Sequence, residues 1–186
     1  MKRELKKITP EQLIKTLALH ELWWDTCGKE GVQADLSYTD LKNVDLTKAN
    51  INDADFTGAD LTGACLNGAN LEHAYLTGAN LSHADLFCVN LSCANLTRAN
   101  LYKADLRYAN LEEANLPGAD LTGTDLISAN LSNTNLRGAN LNSADLRNTN
   151  LNNADLSDAD LSDADLTGAD LTDTIFIEAN LTRTKE

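Results

Sequence analysis

Residues 76–115 read LTGAN LSHAD LFCVN LSCAN LTRAN LYKAD LRYAN LEEAN, eight consecutive units of five. The pattern extends both ways without a break. From Leu36 to Leu181 a large apolar residue occupies every fifth position, giving 30 units; only Ile51, Phe56 and Phe176 replace Leu. Two places before each centre stands a small residue, Ala in 23 units. One place before it stands Asp or Asn in 27 units, with Cys65, Tyr75 and Ile175 as exceptions. The consensus is A-(D/N)-L-x-x. A period of five matches neither the 3.6 of an α-helix nor the 2 of a strand. A helix would carry the leucines around its axis by about 140° per unit, and a flat strand would send alternate leucines to opposite faces. The chain must therefore turn a corner every five residues, with the small residue and Leu inside and three polar residues outside. No coil of such a path has a core of its own, so it buries its leucines by stacking on its neighbours.

The A-(D/N)-L-x-x units resemble the pentapeptide-repeat proteins over about four-fifths of the chain. The flank HELWWDTCGKEGVQADLS (residues 20–37) is similar to the lead-in of some members. The resemblance implies an all-β solenoid, a right-handed quadrilateral β-helix with four units per coil. Thirty units then make about 7.5 coils, a rod roughly 36 Å long at ~4.8 Å per rung. It also implies a bacterial chain of cyanobacterial type. A 20-residue period is supported by the residues themselves. The slot before the centre reads Asn50, Asn70, Asn90, Asn110, Asn130, Asn150 and Asp170 on one side. On the adjacent side it reads Asp45, Cys65, Asp85, Asp105, Asp125, Asp145 and Asp165. Stacked carboxylates ~5 Å apart repel by about 0.8 kcal/mol even in water. Each Asp is therefore expected to accept a backbone N–H at its corner, as Asx turns do.

Three segments follow: a helical cap over 1–31 with its helix at about 9–27, the repeats over 32–182, and a tail over 183–186. Thr9-Pro10-Glu11-Gln12 has the form of a helix start, with Thr at the N-cap, Pro at N1 and Gln at N3. Gly28 is placed to stop the helix. The apolar residues between, Leu13 to Trp24, need cover, and an open β-helix end needs a lid. The C-terminal LTRTKE supplies no comparable lid, so Ile175, Phe176 and Ile177 are candidates for end-to-end association into a homodimer.

Charge narrows the function classes. With 15 Lys+Arg against 28 Asp+Glu, the net charge is −13. Direct contact with nucleic acid or an anionic membrane is not expected of such a surface. No apolar run approaches the ~20 residues of a membrane span. MKRELKKITPEQ lacks the apolar stretch of a signal peptide, so a cytoplasmic location is expected. Four Cys without a CxxC pair are expected as free thiols.

An interior filled by Leu and Ala leaves no cleft, and His20, His73 and His83 assemble no catalytic set, so no enzyme activity, cofactor or metal is expected. His73, Cys93 and Glu113 share one outward slot on consecutive rungs, but two good ligands on a flat surface make a weak metal site. On the Asp-rich side, the slots after the centre place Phe87, Cys88, Arg107, Tyr108, Ile127 and Arg147 on successive rungs, the composition of an interface core. Tyr102 and Lys103 lie on the preceding side of the Arg107 coil. Asp155, Asp158, Asp160, Asp163, Asp165, Asp170 and Asp173 form an acidic tip with no Lys or Arg among them. The expected function is non-catalytic: a rigid scaffold offering the partly apolar, Arg-containing face to an unidentified protein partner. Two alternatives stand beside it. The family includes acidic mimics of DNA that bind gyrase, and 22 acids against 7 bases over residues 35–181 suit that role, although Arg98, Lys103 and Arg107 interrupt the acidic surface. A structural spacer or self-assembling unit is the other.

Overall fold

The computed structural model describes residues 4–186. It contains one helix, α1 (Pro10–Asp25), followed by a parallel four-sided β-helix. No described helix is long and apolar enough to cross a membrane.

α1 begins where a reciprocal cap satisfies its first donors. The Gln12 N–H donates to Thr9 Oγ1 (3.2 Å), and the Thr9 N–H donates to Gln12 Oε1 (2.9 Å). At the other end the Gly28 N–H reaches back to the Trp23 carbonyl (2.7 Å). The helix runs two residues short of the expected end at 27, because Cys27 and Gly28 both take positive φ (51° and 79°).

In the repeats each unit makes one step and one turn. The residue before the centre forms a parallel bridge to the residue 20 places on, from Asp35–Asp55 through Asp165–Lys185. Four units therefore complete a coil. The two residues after each small–polar–Leu step turn the corner. The N–H of the next small residue closes the turn on the centre's carbonyl, as Ala59 does on Phe56 (2.9 Å). The second residue after every centre, from Tyr38 to Arg183, has φ between 52° and 73°, the left-handed region such a turn demands. We number the sides by the centres of the first coil: Leu36, Leu41, Leu46 and Ile51 begin the first to fourth sides.

The core is the stack of Ala and Leu between the sides, with Phe56 fully buried in it. Where Thr replaces Ala, its hydroxyl is satisfied by a backbone carbonyl: Thr124 donates to Leu101 (2.9 Å) and Thr149 to Leu146 (2.7 Å). On the fourth side the Asn side chains form a continuous chain of amide hydrogen bonds, Asn70 to Asn50, Asn90 to Asn70 and onward to Asn150, at 2.9–3.2 Å. Pairing runs past the expected boundary at 182. Thr184 and Lys185 fill the small and bridging slots of one more unit, and the Lys185 N–H donates to the Ala164 carbonyl (3.0 Å).

α1 lies against the first coil. Leu13 enters the core, with Ile8 and Leu17 packed on it. His20 is buried, stacks on Trp23 (5.7 Å) and accepts the Ala34 N–H at Nδ1 (3.1 Å). Ahead of the helix, Lys6 adds a short bridge to the coil edge: its N–H donates to the Tyr38 carbonyl (2.7 Å) and its carbonyl accepts from Asp40 (2.9 Å).

Candidate protein-interaction face

The third side begins with a problem in electrostatics, a column of aspartates, which is solved locally. Each Asp Oδ1 accepts the N–H two residues on: Phe87 on Asp85 (3.1 Å), Arg107 on Asp105 (3.1 Å), Ile127 on Asp125 (3.2 Å). Arginine does the rest. Arg107 makes two hydrogen bonds to Asp105 (2.8 and 2.5 Å) and stands 3.6 Å from Asp125. Arg147 grips Asp145 in the same way (2.7 and 2.6 Å). These bonds hold the Asp105 and Asp145 carboxyls below the ordinary carboxylate range.

Anchored so, Arg107 stands over Phe87, with its guanidinium carbon 5.5 Å from the ring centre. Phe87 meets Tyr108 edge-on at 5.5 Å. Ile127 and Arg147 follow on the next rungs, for the Tyr108 N–H donates to the Ile127 carbonyl and the Ser128 N–H to the Arg147 carbonyl. Tyr108 is 56% exposed, Cys88 is exposed, and Phe87 and Ile127 are half-buried. The residues expected on this face thus share one side, as the 20-residue register requires. The face is less cationic than its composition suggests, since both arginines are engaged by their own aspartates.

A second cluster lies on the second side. His83 meets Tyr102 edge-on (5.5 Å), and Lys103 Nζ lies 5.1 Å over the same ring. His83 was expected on an outer face of the rod but not among the residues of an interaction face. Its corner slot held the signal: a bulky side chain where Gly, Asn or Asp commonly stands.

The acidic tip differs from its sequence reading. The 20-residue register brings cations from neighbouring coils into it. Arg137 reaches Asp155 (3.2 Å) and Asp158 (3.3 Å), Arg183 reaches Asp163 (2.7 Å), and Lys185 reaches Asp165 (3.3 Å). Side-chain hydroxyls on Ser157, Ser162, Thr167 and Thr172 hold the Asp155, Asp160, Asp165 and Asp170 carboxyls low. Of the C-terminal trio, Ile175 (43% exposed) and Ile177 (66%) point off the side wall while Phe176 faces inward. They do not form one surface. The apolar surface at that end is instead the coil's own inward set, Leu171, Phe176 and Leu181.

His73 and Cys93 turn apart. His73 Nε2 lies 3.8 Å from Glu72, and the Cys93 thiol donates to Glu113 (3.6 Å). Burial and that carboxylate push the Cys93 thiol pKa up. All four cysteines are free.

No functionally curated protein matches the chain in sequence. Among solved structures it is similar to HetL, a pentapeptide-repeat protein involved in heterocyst differentiation regulation in the cyanobacterium Nostoc sp., at 39% identity. That match covers 81% of this chain and 71% of HetL with a TM-score of 0.70. Rfr23 from the cyanobacterium Cyanothece is 41% identical over 52% of this chain and 63% of its own, with a TM-score of 0.40. QnrB1, a plasmid-mediated fluoroquinolone resistance protein, is 20% identical over 82% of this chain and 84% of its own, with a TM-score of 0.50, a likeness of fold alone. The profile of pentapeptide repeats matches with 8 copies over residues 32–63, 64–102, 104–142, 139–176 and 154–185. With its units of five, its four-sided register, the repeat-family match and the likeness to HetL, the chain is a right-handed quadrilateral β-helix and belongs to the pentapeptide-repeat family.

Proposed function

We propose that the protein is a non-catalytic binding rod that docks a protein partner on its third side, with α1 capping the first of about 7.5 coils. One observation carries the reading: Phe87, Tyr108 and Arg107 form a pre-ordered aromatic–guanidinium cluster, locked from below by Asp105. Aromatic and Arg side chains immobilised before binding lose little entropy on contact, which is what interface anchors require. The depressions of the surface support binding over catalysis. One lies at the junction with α1, lined by residues such as Lys6, Gln12, Lys15 and Asp35. Others lie on the first coils, lined by residues such as Asp55, Thr57 and Tyr75 or Gly58, Asp60 and Asn80; all are open to solvent rather than enclosed clefts.

The test is affinity capture from lysate of the source cell, with wild type beside a Phe87→Ser/Ile127→Ser variant. A partner retained by wild type alone supports the reading. Equal retention by a variant with an unchanged melting temperature overturns it. The DNA-mimic alternative has weaker support here, because Arg137, Arg183 and Lys185 interrupt the acidic tip. Self-association has its own supporting observation: Leu171, Phe176 and Leu181 are partly or largely exposed on the last coil. Sedimentation velocity tests it, with a concentration-dependent dimer lost in Leu181→Glu as the expected result and a monomer at all concentrations as the refutation.

A further inference from the structure

Six of the nine Lys and Arg in the repeats have a carboxylate within 4.0 Å: Lys42, Arg107, Arg137, Arg147, Arg183 and Lys185. Among the described residues Lys48, Arg98 and Lys103 have none. Arg98 and Lys103 are consecutive corners of one coil and bound the second side at mid-rod. Two unpaired cations on a chain of charge −13 are conspicuous, because carboxylates are abundant on every side.

Backbone conformation marks the same place. Every corner residue must adopt the left-handed region, which a β-carbon disfavours and which Gly, Asn and Asp tolerate best. From residue 118 to 173 all twelve corners are Gly, Asn, Asp or Ser. From 73 to 113 eight of nine are His, Cys, Arg, Lys, Tyr or Glu. Bulky side chains are thus held in a disfavoured conformation over two coils, a pattern that belongs with function.

The local geometry suits a flat-lying ligand. A β-carbon on Gly118 would stand 3.7 Å from Arg98 Cγ, and one on Gly123 would stand 3.5 Å from Lys103 Cγ. The two aliphatic stems therefore run along the rod axis over bare glycine backbone. Tyr102, next to the Lys103 corner, has its ring braced by His83 (5.5 Å) and overlain by Lys103 (5.1 Å). The Tyr102 N–H is fixed on Asn100 Oδ1 (3.0 Å).

We propose that the second side around Arg98, Tyr102 and Lys103 recognises an acidic peptide segment of a partner protein. The cations meet its carboxylates, and the Tyr102 ring supports the chain beside Lys103. Nucleic acid is disfavoured as the occupant, because phosphate binding draws on many cations and this side has two within an acidic rod. The inference uses a different side from the Phe87 face and does not depend on it.

Fluorescence anisotropy with dye-labelled octaglutamate in about 0.15 M salt tests it. Long-range repulsion opposes this probe, so only a local site will hold it. Wild type is expected to bind at submillimolar concentration. Arg98→Gly/Lys103→Gly is expected to weaken binding by at least about tenfold, with an equal or higher melting temperature, since glycine suits both corners. Arg107→Gln is expected to leave binding within about twofold. No binding up to about 1 mM overturns the proposal. So does equal binding by the glycine variant, or binding of a labelled octathymidylate in place of octaglutamate. Phe87→Ser/Ile127→Ser should leave octaglutamate binding intact, so failure of one side is distinguishable from failure of the other.

Discussion

Leu61 and Leu181 hold the same slot on the second side, near opposite ends of the rod. Leu61 is fully buried and Leu181 is 42% exposed. The turn is closed alike at both, by the Ala64 N–H on the Leu61 carbonyl (3.0 Å) and the Thr184 N–H on the Leu181 carbonyl (3.2 Å). The Leu61 N–H also donates to the Asn80 carbonyl on the next coil (2.7 Å), and the neighbours differ. Leu61 has coils on both sides, and beyond the first coil lie the Lys6 bridge and α1 with Leu13, Leu17 and His20. The coil at Leu181 is covered from one direction only among the described residues. A solenoid residue is therefore stabilised by the coils flanking it more than by its own unit.

That contrast is sharpest under truncation. Leu61→Ala is expected to cost about 2–5 kcal/mol, since the cavity is closed on all sides. Leu181→Ala, which removes half-solvated methyl groups, is expected to cost less than about 1 kcal/mol. Denaturant unfolding of both variants measures the gap, and equal losses would break the comparison. Next in size is Gly31→Ala. Its φ is +76°, and a β-carbon would stand 2.2 Å from the Leu19 carbonyl oxygen and 2.5 Å from the Trp23 nitrogen. The strained backbone alone costs about 1–3 kcal/mol. Backbone cannot yield as a side chain can, so the helix should lift from the first coil. Amide exchange would then rise in α1 and at the coil edge near Tyr38 and Asp40, while coils beyond residue 100 keep their protection.

Much of this was legible in the sequence. The five-residue period gives the corners, and the columns of Asn and Asp give the 20-residue register that stacks Phe87, Arg107 and Ile127. The helix start was legible too, because Thr9, Pro10 and Gln12 form a local motif. What escaped depends on side-chain reach between coils. Nothing in the string around Asp155 shows that Arg137 will turn toward it, or that Arg107 will be taken up by Asp105 and Asp125. His20 gave no sign of burial, for an imidazole suits water or core equally until its neighbours are known. The cluster at His83, Tyr102 and Lys103 had a signal in its corner slots, readable once every corner is known to be left-handed.

A smaller effect tests the helix alone. Thr9→Ala removes the side-chain acceptor of the capping box and is expected to cost about 1 kcal/mol. The loss should show as exchange in the first turn of α1, with the rod's own unfolding unchanged. A rod that melts earlier in step would mean that cap and coils unfold as one unit.

Acid should separate the two regions further. His20 accepts the Ala34 N–H, so a proton on Nδ1 removes an acceptor and leaves a charge in a buried site; burial pulls its pKa below the ordinary value. An unfolded or undocked imidazole then binds protons more readily than the docked one as pH falls through about 6.5, and docking weakens over that range. The rod's aspartates respond later. Hydrogen bonds from Arg107 to Asp105, from Arg147 to Asp145 and from Ser157 to Asp155 hold those carboxyls below their unfolded value. Their contribution is present above about pH 4 and is lost as pH falls below that. Amide protection in α1 is therefore expected to decline between about pH 7 and 5 while the bridging amides of the coils hold until below about pH 4. Were long-range repulsion among the 28 acidic residues in control instead, the rod would grow more stable as acid reduced its charge. A rise in coil protection on acidification to pH 4 would show that repulsion outweighs the corner hydrogen bonds, and simultaneous loss in both regions would show that His20 does not hold the helix separately.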